Sequence, residues 1–106
     1  MELNNRTEAL HWAGCTLNNY TDIDQANFIS NSEKMVYYCV GKEVGEGGVP
    51  HLQFMLSFKK KIRLSALKKI WKNAHFEVKH GTFKDASNYC KKGEQSHAEW
   101  VQENGS

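Results

Sequence analysis

Leu52-Gln53-Phe54-Met55-Leu56-Ser57-Phe58 is the stretch on which the fold turns. Leu52, Phe54, Leu56 and Phe58 recur at every second position. That is the period of a strand with one buried face, since successive side chains on a strand point to opposite faces. Pro50-His51 stands directly before it, so His51 and Gln53 share the opposite face, an imidazole and an amide two residues apart on a rigid platform. By residue type alone, His51 reads equally as a metal ligand and as a hydrogen-bonded histidine on a sheet face.

Upstream of this strand, Gly45-Glu46-Gly47-Gly48 has hairpin-loop composition, and residues 35–44 are β-branched and aromatic. The two runs therefore read as an antiparallel hairpin. Residues 11–18 read as a first strand ending at Asn18-Asn19, residue types that favour turns. Thr21 or Asp22 can cap a helix running to Ser30, with Ile23, Ala26 or Asn27, and Ile29 or Ser30 at helical spacing. Leu64, Leu67, Ile70 and Trp71 fall on one side of a second helix, with Lys68, Lys69 and Lys72 on the other. Residues 76–80 suit a short strand, residues 83–91 a helix, and Trp100-Val101 a last strand. The six N-terminal residues and residues 103–106 are expected to fray. The order β-α-β-β-α-β-α-β predicts an α+β fold, a central antiparallel sheet of about five strands with packed helices, related to ferredoxin-like folds.

With 106 residues, 40% of them hydrophobic, the chain suits one small domain over 1–106 with its own core. Cys15, Cys39 and Cys90 form no C-x-x-C pair, which favours a reducing compartment. No apolar run of 18 residues and no secretory signal pattern occurs, so no membrane association is expected. The net charge of +2 conceals an asymmetry. Residues 59–92 hold eleven basic and two acidic groups, whereas residues 1–58 hold three and seven. A block of this kind is either a solvated face or a phosphate-backbone footprint. Because it reaches Tyr89-Cys90-Lys91-Lys92, the footprint is preferred, with Lys59, Lys60, Lys61 and Lys91 as its candidates.

Chance alone would supply a His-x-Gln about 0.2 times and a Tyr-x-x-Lys about 0.45 times in this composition, so neither carries weight singly. Their order does. Thr16-Leu17-Asn18-Asn19, then Pro50-His51-Leu52-Gln53, then Tyr89-Cys90-Lys91-Lys92 resembles motifs I, II and III of the HUH-type replication initiators, the Rep proteins of small circular single-stranded DNA viruses. The His-x-Gln form is more similar to circoviruses and nanoviruses than to geminiviruses. The resemblance runs from about Trp12 to Lys92. It departs at Cys15, where motif I usually has Phe, and at Phe54, where motif II is usually followed by Gly.

The resemblance implies an HUH endonuclease fold and a nicking and joining activity on single-stranded DNA at a stem-loop origin of rolling-circle replication. It implies Tyr89 as the nucleophile that forms a 5′-phosphotyrosine, and Lys92 as the group beside the scissile phosphate. His51 and Gln53 would hold a divalent ion, Mn²⁺ or Mg²⁺. The segment Val40-Gly41-Lys42-Glu43 is similar to the family segment whose last acidic residue binds metal, which points to Glu43, with Glu46 as competitor. Zinc is less suited, since His75 and His80 have no cysteine pair beside them. Thr16, Asn18 and Asn19 are implied DNA contacts, although the asparagines equally suit a turn. Trp12 and Trp71 read as core.

Family members usually continue into an ATP-driven helicase domain, and no G-x-x-x-x-G-K-[ST] occurs here. The expectation is a domain that uses no ATP itself, belongs to a protein of the host nucleus, and oligomerises, if at all, through a helicase domain absent from 1–106. The rival from another class is a non-catalytic single-stranded nucleic-acid-binding module of ferredoxin-like fold, which would need exposed aromatic side chains on its sheet for base stacking.

Overall fold

The computed structural model describes residues 3–44, 46–79 and 99–105, the last stretch and Glu46 by their backbone alone. The elements are β1 (Glu8–Asn18), α1 (Asp22–Ser30), β2 (Met35–Val44), β3 (Pro50–Arg63), α2 (Leu64–Ile70) and β4 (Glu99–Gly105). The sheet order is β1-β3-β2-β4, antiparallel throughout. Strand β3 thus lies between β1 and β2, whose connection carries α1, a split β-α-β arrangement. No helix among the described residues is long and apolar enough to cross a membrane.

Helix α1 starts where a capping box closes its first turn. Asp24 N–H donates to Thr21 Oγ1 at 3.1 Å and Thr21 N–H donates to Asp24 Oδ2 at 2.9 Å, which selects Thr21 over Asp22 as the cap. The inner face of α1 differs from expectation. Ile23 and Ile29 are exposed and Phe28 is the buried residue, because its ring alone reaches the aromatic cluster over β3. Phe28 lies 4.8 Å from Trp71 and 5.1 Å from Phe54, ring centre to ring centre, the range in which aromatic pairs attract. Phe76 closes the cluster against Phe54 and Trp12. Trp12 and Trp71 are fully buried, and their N–H groups donate to backbone carbonyls, Trp12 to Ala9 and Trp71 to Asp24. They belong to the core, as their setting in the sequence suggests.

The start of α2 has no side-chain cap on Arg63, so its first N–H groups need other partners. Leu64 N–H donates to Thr7 O at 2.9 Å and Ser65 N–H to Asn5 O at 3.3 Å. This ties down a segment expected to fray. Asn4 and Thr7 also exchange hydrogen bonds, and Leu3 packs on the core. At the other end of the chain, β4 pairs with β2 as far as Tyr37 opposite Gly105, so residues 103–105 are likewise strand.

The count of about five strands is corrected to four among the described residues: three long ones and the short edge strand β4. Among the described residues the strand expected at 76–80 appears as two isolated bridges, Trp12 to Val78 and Thr16 to His75. The cause is a bulge in β1. Between the pairs Trp12–Leu56 and Cys15–Phe54, β1 advances three residues while β3 advances two. The surplus is absorbed at Gly14, whose φ of +72° an L side chain rarely adopts. Residues 75–79 still follow the free edge of β1, through Ala13 N–H to Glu77 O, Lys79 N–H to His11 O and a reciprocal pair between Thr16 and His75. Residues 83–91 of the expected third helix lie outside the described residues.

Candidate functional site

The hairpin of β2 and β3 closes through a 3-10 turn, Glu46–Gly48, in which Gly47 and Gly48 hold φ of +83° and +79°. Nothing lies within 4 Å of a Cβ added at either one, so the constraint there is conformational rather than steric. The turn sets the register, and the register places Glu43 opposite His51 and Gly41 opposite Gln53. Directly opposed residues on neighbouring strands share a face. On the other side of β3, Asn18 pairs with His51 and Thr16 with Gln53. Two rungs result: Asn18, His51, Glu43 and, next to it, Thr16, Gln53, Gly41.

This face lies across the sheet from the aromatic core. Further along it, Ala13, Tyr37, Cys39 and Met55 form a second, smaller buried cluster, and the buried hydroxyl of Ser57 is hydrogen-bonded to His11 Nδ1. The rungs with His51 and Gln53 are thus the polar end of an otherwise buried surface.

His51 Nε2 and Glu43 Oε1 are 3.7 Å apart, with about a fifth of each side chain exposed. That is longer than a hydrogen bond of 2.7–3.2 Å. It is within the span open to two donors on one small ion: donors about 2.1 Å from a common Mg²⁺ lie at most about 4.2 Å from each other. The separation is that of an ion pair and also leaves room for an ion between the carboxylate and the imidazole. Gln53 follows two residues after His51 on the same strand face, and its amide oxygen would complete a mostly hard donor set. Among the described residues no group of three His, Cys, Asp or Glu side chains forms a metal cluster, so a third donor drawn from them would be of another type, such as the Gln53 amide. Glu46 lies in the turn beyond the strand pair, and only its backbone is described.

Asn19 has φ of +53°, and its N–H donates to Pro50 O at 3.0 Å. It is the turn residue that pins the start of β3 beside the end of β1. Asn18 is exposed next to His51, and Thr16 is half-buried next to Gln53. Lys59, Lys60 and Lys61 are exposed but lie towards the far end of β3, so the fold does not bring them to these rungs. Tyr89, Lys91 and Lys92 lie outside the described residues.

Two residues that pattern reading had not singled out as a pair enter the site by topology. The bridge from Thr16 to His75 extends the Gln53 rung by one strand, and Glu77 lies two residues further on. His75 Nε2 and Glu77 Oε2 are 3.0 Å apart on the surface. The signal was present in His75-Phe76-Glu77, where a buried Phe between two polar residues marks an alternating segment. Glu77 also faces Cys15. Burial drives that thiol up from its ordinary 9.0 to about 12, against a hydrogen bond with the Glu77 backbone that lowers it and with a smaller push from the Glu77 carboxylate, so Cys15 stays protonated.

Against known proteins, residues 9–93 match the model of the viral replication protein family. The chain is 47% identical over 78 residues to the replication-associated protein of Canary circovirus, covering 73% of this chain and 27% of that one. It is 47% identical over 79 residues to the replication-associated protein of Beak and feather disease virus, with the same two coverages. It is 41% identical over 78 residues to Para-Rep C2 of Subterranean clover stunt C2 alphasatellite, covering 71% of this chain and 28% of that protein. The chain thus spans little more than a quarter of the length of these curated relatives. Residues 9–93 are most of the 106-residue chain, and the chain belongs to the viral replication protein family.

Proposed function

We propose that this chain is the metal-dependent nicking and joining domain of a replication initiator, of HUH fold, acting on single-stranded DNA at a stem-loop origin. The observation that carries the reading is the 3.7 Å separation of the Glu43 carboxylate and the His51 imidazole, with Gln53 beside them. Family membership supplies the context. A bound Mg²⁺ or Mn²⁺ would withdraw charge from a non-bridging oxygen of the scissile phosphate.

In this reading, Glu43, His51 and Gln53 would hold the ion at the turn end of the β2–β3 hairpin, where the phosphate would be oriented. The Tyr89 hydroxyl gives up its proton and its oxygen attacks phosphorus, forming a tyrosine–phosphate bond to the 5′ side. The bond from phosphorus to the 3′ oxygen breaks, and that oxygen leaves as a hydroxyl after taking up a proton. One phosphodiester replaces another. A free 3′-hydroxyl can therefore reverse the step and join strands without ATP. A phenol of pKa about 10 attacks poorly at neutral pH unless the developing charge is stabilised. Lys92, three residues after Tyr89, is assigned that role as a cation beside the phosphate.

Among the described residues, the large exposed hydrophobic side chains are Ile and Val, with no aromatic ring among them. This disfavours a non-catalytic base-stacking module. The test is incubation of the protein with a labelled single-stranded oligonucleotide spanning the cognate origin loop, in Mn²⁺ or in EDTA, followed by denaturing electrophoresis. A covalent protein–DNA band in Mn²⁺ that is absent in EDTA is expected. Binding with no band under either condition would favour the non-catalytic module.

A further inference from the structure

Between the pairs His11–Ser57 and Ala9–Ile62, β1 moves back two residues while β3 advances five. The surplus of β3 is the run that holds Lys59, Lys60 and Lys61, which is thereby pushed out of the ladder and exposed. Lys34, in the 3-10 turn before β2, arrives at the same place because Met35 pairs with Phe58. The four lysines, with Phe58 and Ile62 as floor, line one open cleft of about 340 Å³.

Three features decide what such a cleft would hold. Among the described residues its lining has four lysines, whose aliphatic stems make much of the wall, and no acidic side chain. Among the described residues no ion pair involves these lysines, whereas nearby Arg63 is paired with Glu8 at 3.7 Å. Among the described residues the cleft's one aromatic residue, Phe58, is 4% exposed, so none of them offers a ring to an unpaired base. Single-strand binders combine charge with aromatic stacking platforms, whereas a paired duplex hides its bases and presents phosphates.

The cleft is also remote from the rungs described above. Glu43 lies nine residues after Lys34 along β2, about 30 Å at 3.3 Å per residue, close to the 34 Å longest dimension of the molecule. At 3.4 Å per nucleotide along one strand, this span is about nine steps. A nucleic acid held at both ends has to be longer than the segment that is cut.

We infer that Lys34, Lys59, Lys60 and Lys61 form a phosphate-reading anchor for paired DNA, set at the end of the sheet opposite the nicking face. The inference rests on the nicking reading for that face and for the substrate's unpaired part, whereas duplex binding by the lysines is independent of it. The anchor holds the stem of a substrate while the other end of the sheet works on its unpaired part.

The test measures binding by fluorescence anisotropy in EDTA, where no cleavage is needed, so its failure and the failure of the nicking reading are distinguishable. The probes are a labelled 20-base-pair duplex of arbitrary sequence and labelled dT20, titrated at several salt concentrations. Changing Lys59, Lys60 and Lys61 together to Ala should weaken duplex binding at least tenfold at 50 mM salt. The slope of log affinity against log salt should flatten by about 2.7, or 0.9 for each phosphate that is no longer neutralised. Binding of dT20 should change less than threefold. The triple Lys→Arg variant keeps the charges and should keep the slope. Three results would overturn the proposal: equal or greater loss with dT20, which would mean a single-strand groove; unchanged or unmeasurable duplex binding, which would leave the cleft to another anionic partner such as an acidic protein; or a flattened slope in the Arg variant, which would mean that charge is not the cause.

Discussion

Replacing Glu43 by Gln keeps the shape and one oxygen donor of the side chain and removes one negative charge. A unit charge about 2.1 Å from a divalent ion interacts with it by about 4 kcal/mol even at the dielectric of water. The carboxylate is about one-fifth exposed, so the contact is not fully hydrated. Desolvation of ion and carboxylate offsets part of the gain. A net loss of about 1.5–3 kcal/mol remains, a 10- to 100-fold weaker Mn²⁺ affinity at 1.4 kcal/mol per decade. Titration calorimetry of Mn²⁺ into the DNA-free protein reads this directly, with Glu46→Gln as the matched control because that residue lies in the turn beyond the strand pair. Glu46→Gln should stay within twofold of the parent. Unchanged affinity in Glu43→Gln would refute the ligand assignment, and a large loss in Glu46→Gln alone would transfer it to the turn.

Lys92→Ala should slow formation of the covalent adduct at least tenfold while altering DNA affinity less than threefold, because a charge beside the phosphate matters most as the transition state develops; single-turnover kinetics set against anisotropy would separate the two, and equal losses would make Lys92 an ordinary backbone contact. Asn19→Val should cost about 1–2 kcal/mol in urea unfolding, since a β-branched side chain opposes the φ of +53° at that turn, whereas Asn19→Gly should be near neutral; equal costs would mean that the side chain of Asn19, not its backbone, holds the turn. Cys15 and Cys39 are at most 1% exposed, so the folded protein should take up no more than one iodoacetamide, at Cys90, and three in guanidinium. Because folding raises the thiol pKa of Cys15 above its unfolded value, the stability this contributes is fully present below pH 9 and is lost as pH climbs towards 12, which alkaline unfolding curves would show.

The hairpin was legible because its two signals agree. Alternation in 52–58 assigns the faces, and the glycine-rich turn lets the register be counted back from His51 to Glu43. The face of α1 was less legible. Ile23 and Ile29 satisfy a helical spacing and yet are exposed, since a nine-residue helix resting on one aromatic cluster buries the residue that reaches it, Phe28. The broken fifth strand depends on a single surplus residue at Gly14, and one glycine in a strand does not announce how the partner strand will respond. The approach of His75 to the Gln53 rung is a consequence of pairing across distant segments, which no local pattern contains. The lysine run was readable as charge and not as place. Counting along the chain puts Lys59–Lys61 shortly after the metal-competent residues, and the length of β3 carries them to the other end of the sheet.

Nicking in the proposed reading requires that Tyr89 form a covalent bond to DNA. Trypsin should release Tyr89 within the segment Asp85-Ala86-Ser87-Asn88-Tyr89-Cys90-Lys91, which holds a single tyrosine. The measurement is tandem mass spectrometry of that peptide after reaction with an origin oligonucleotide in Mn²⁺ and nuclease trimming, run in parallel on the Tyr89→Phe variant. The account predicts a nucleotide 5′-phosphate on Tyr89 and no adduct in the variant. A nucleotide found on Ser87, on Cys90 or on another peptide, or an adduct that survives in Tyr89→Phe, would contradict it.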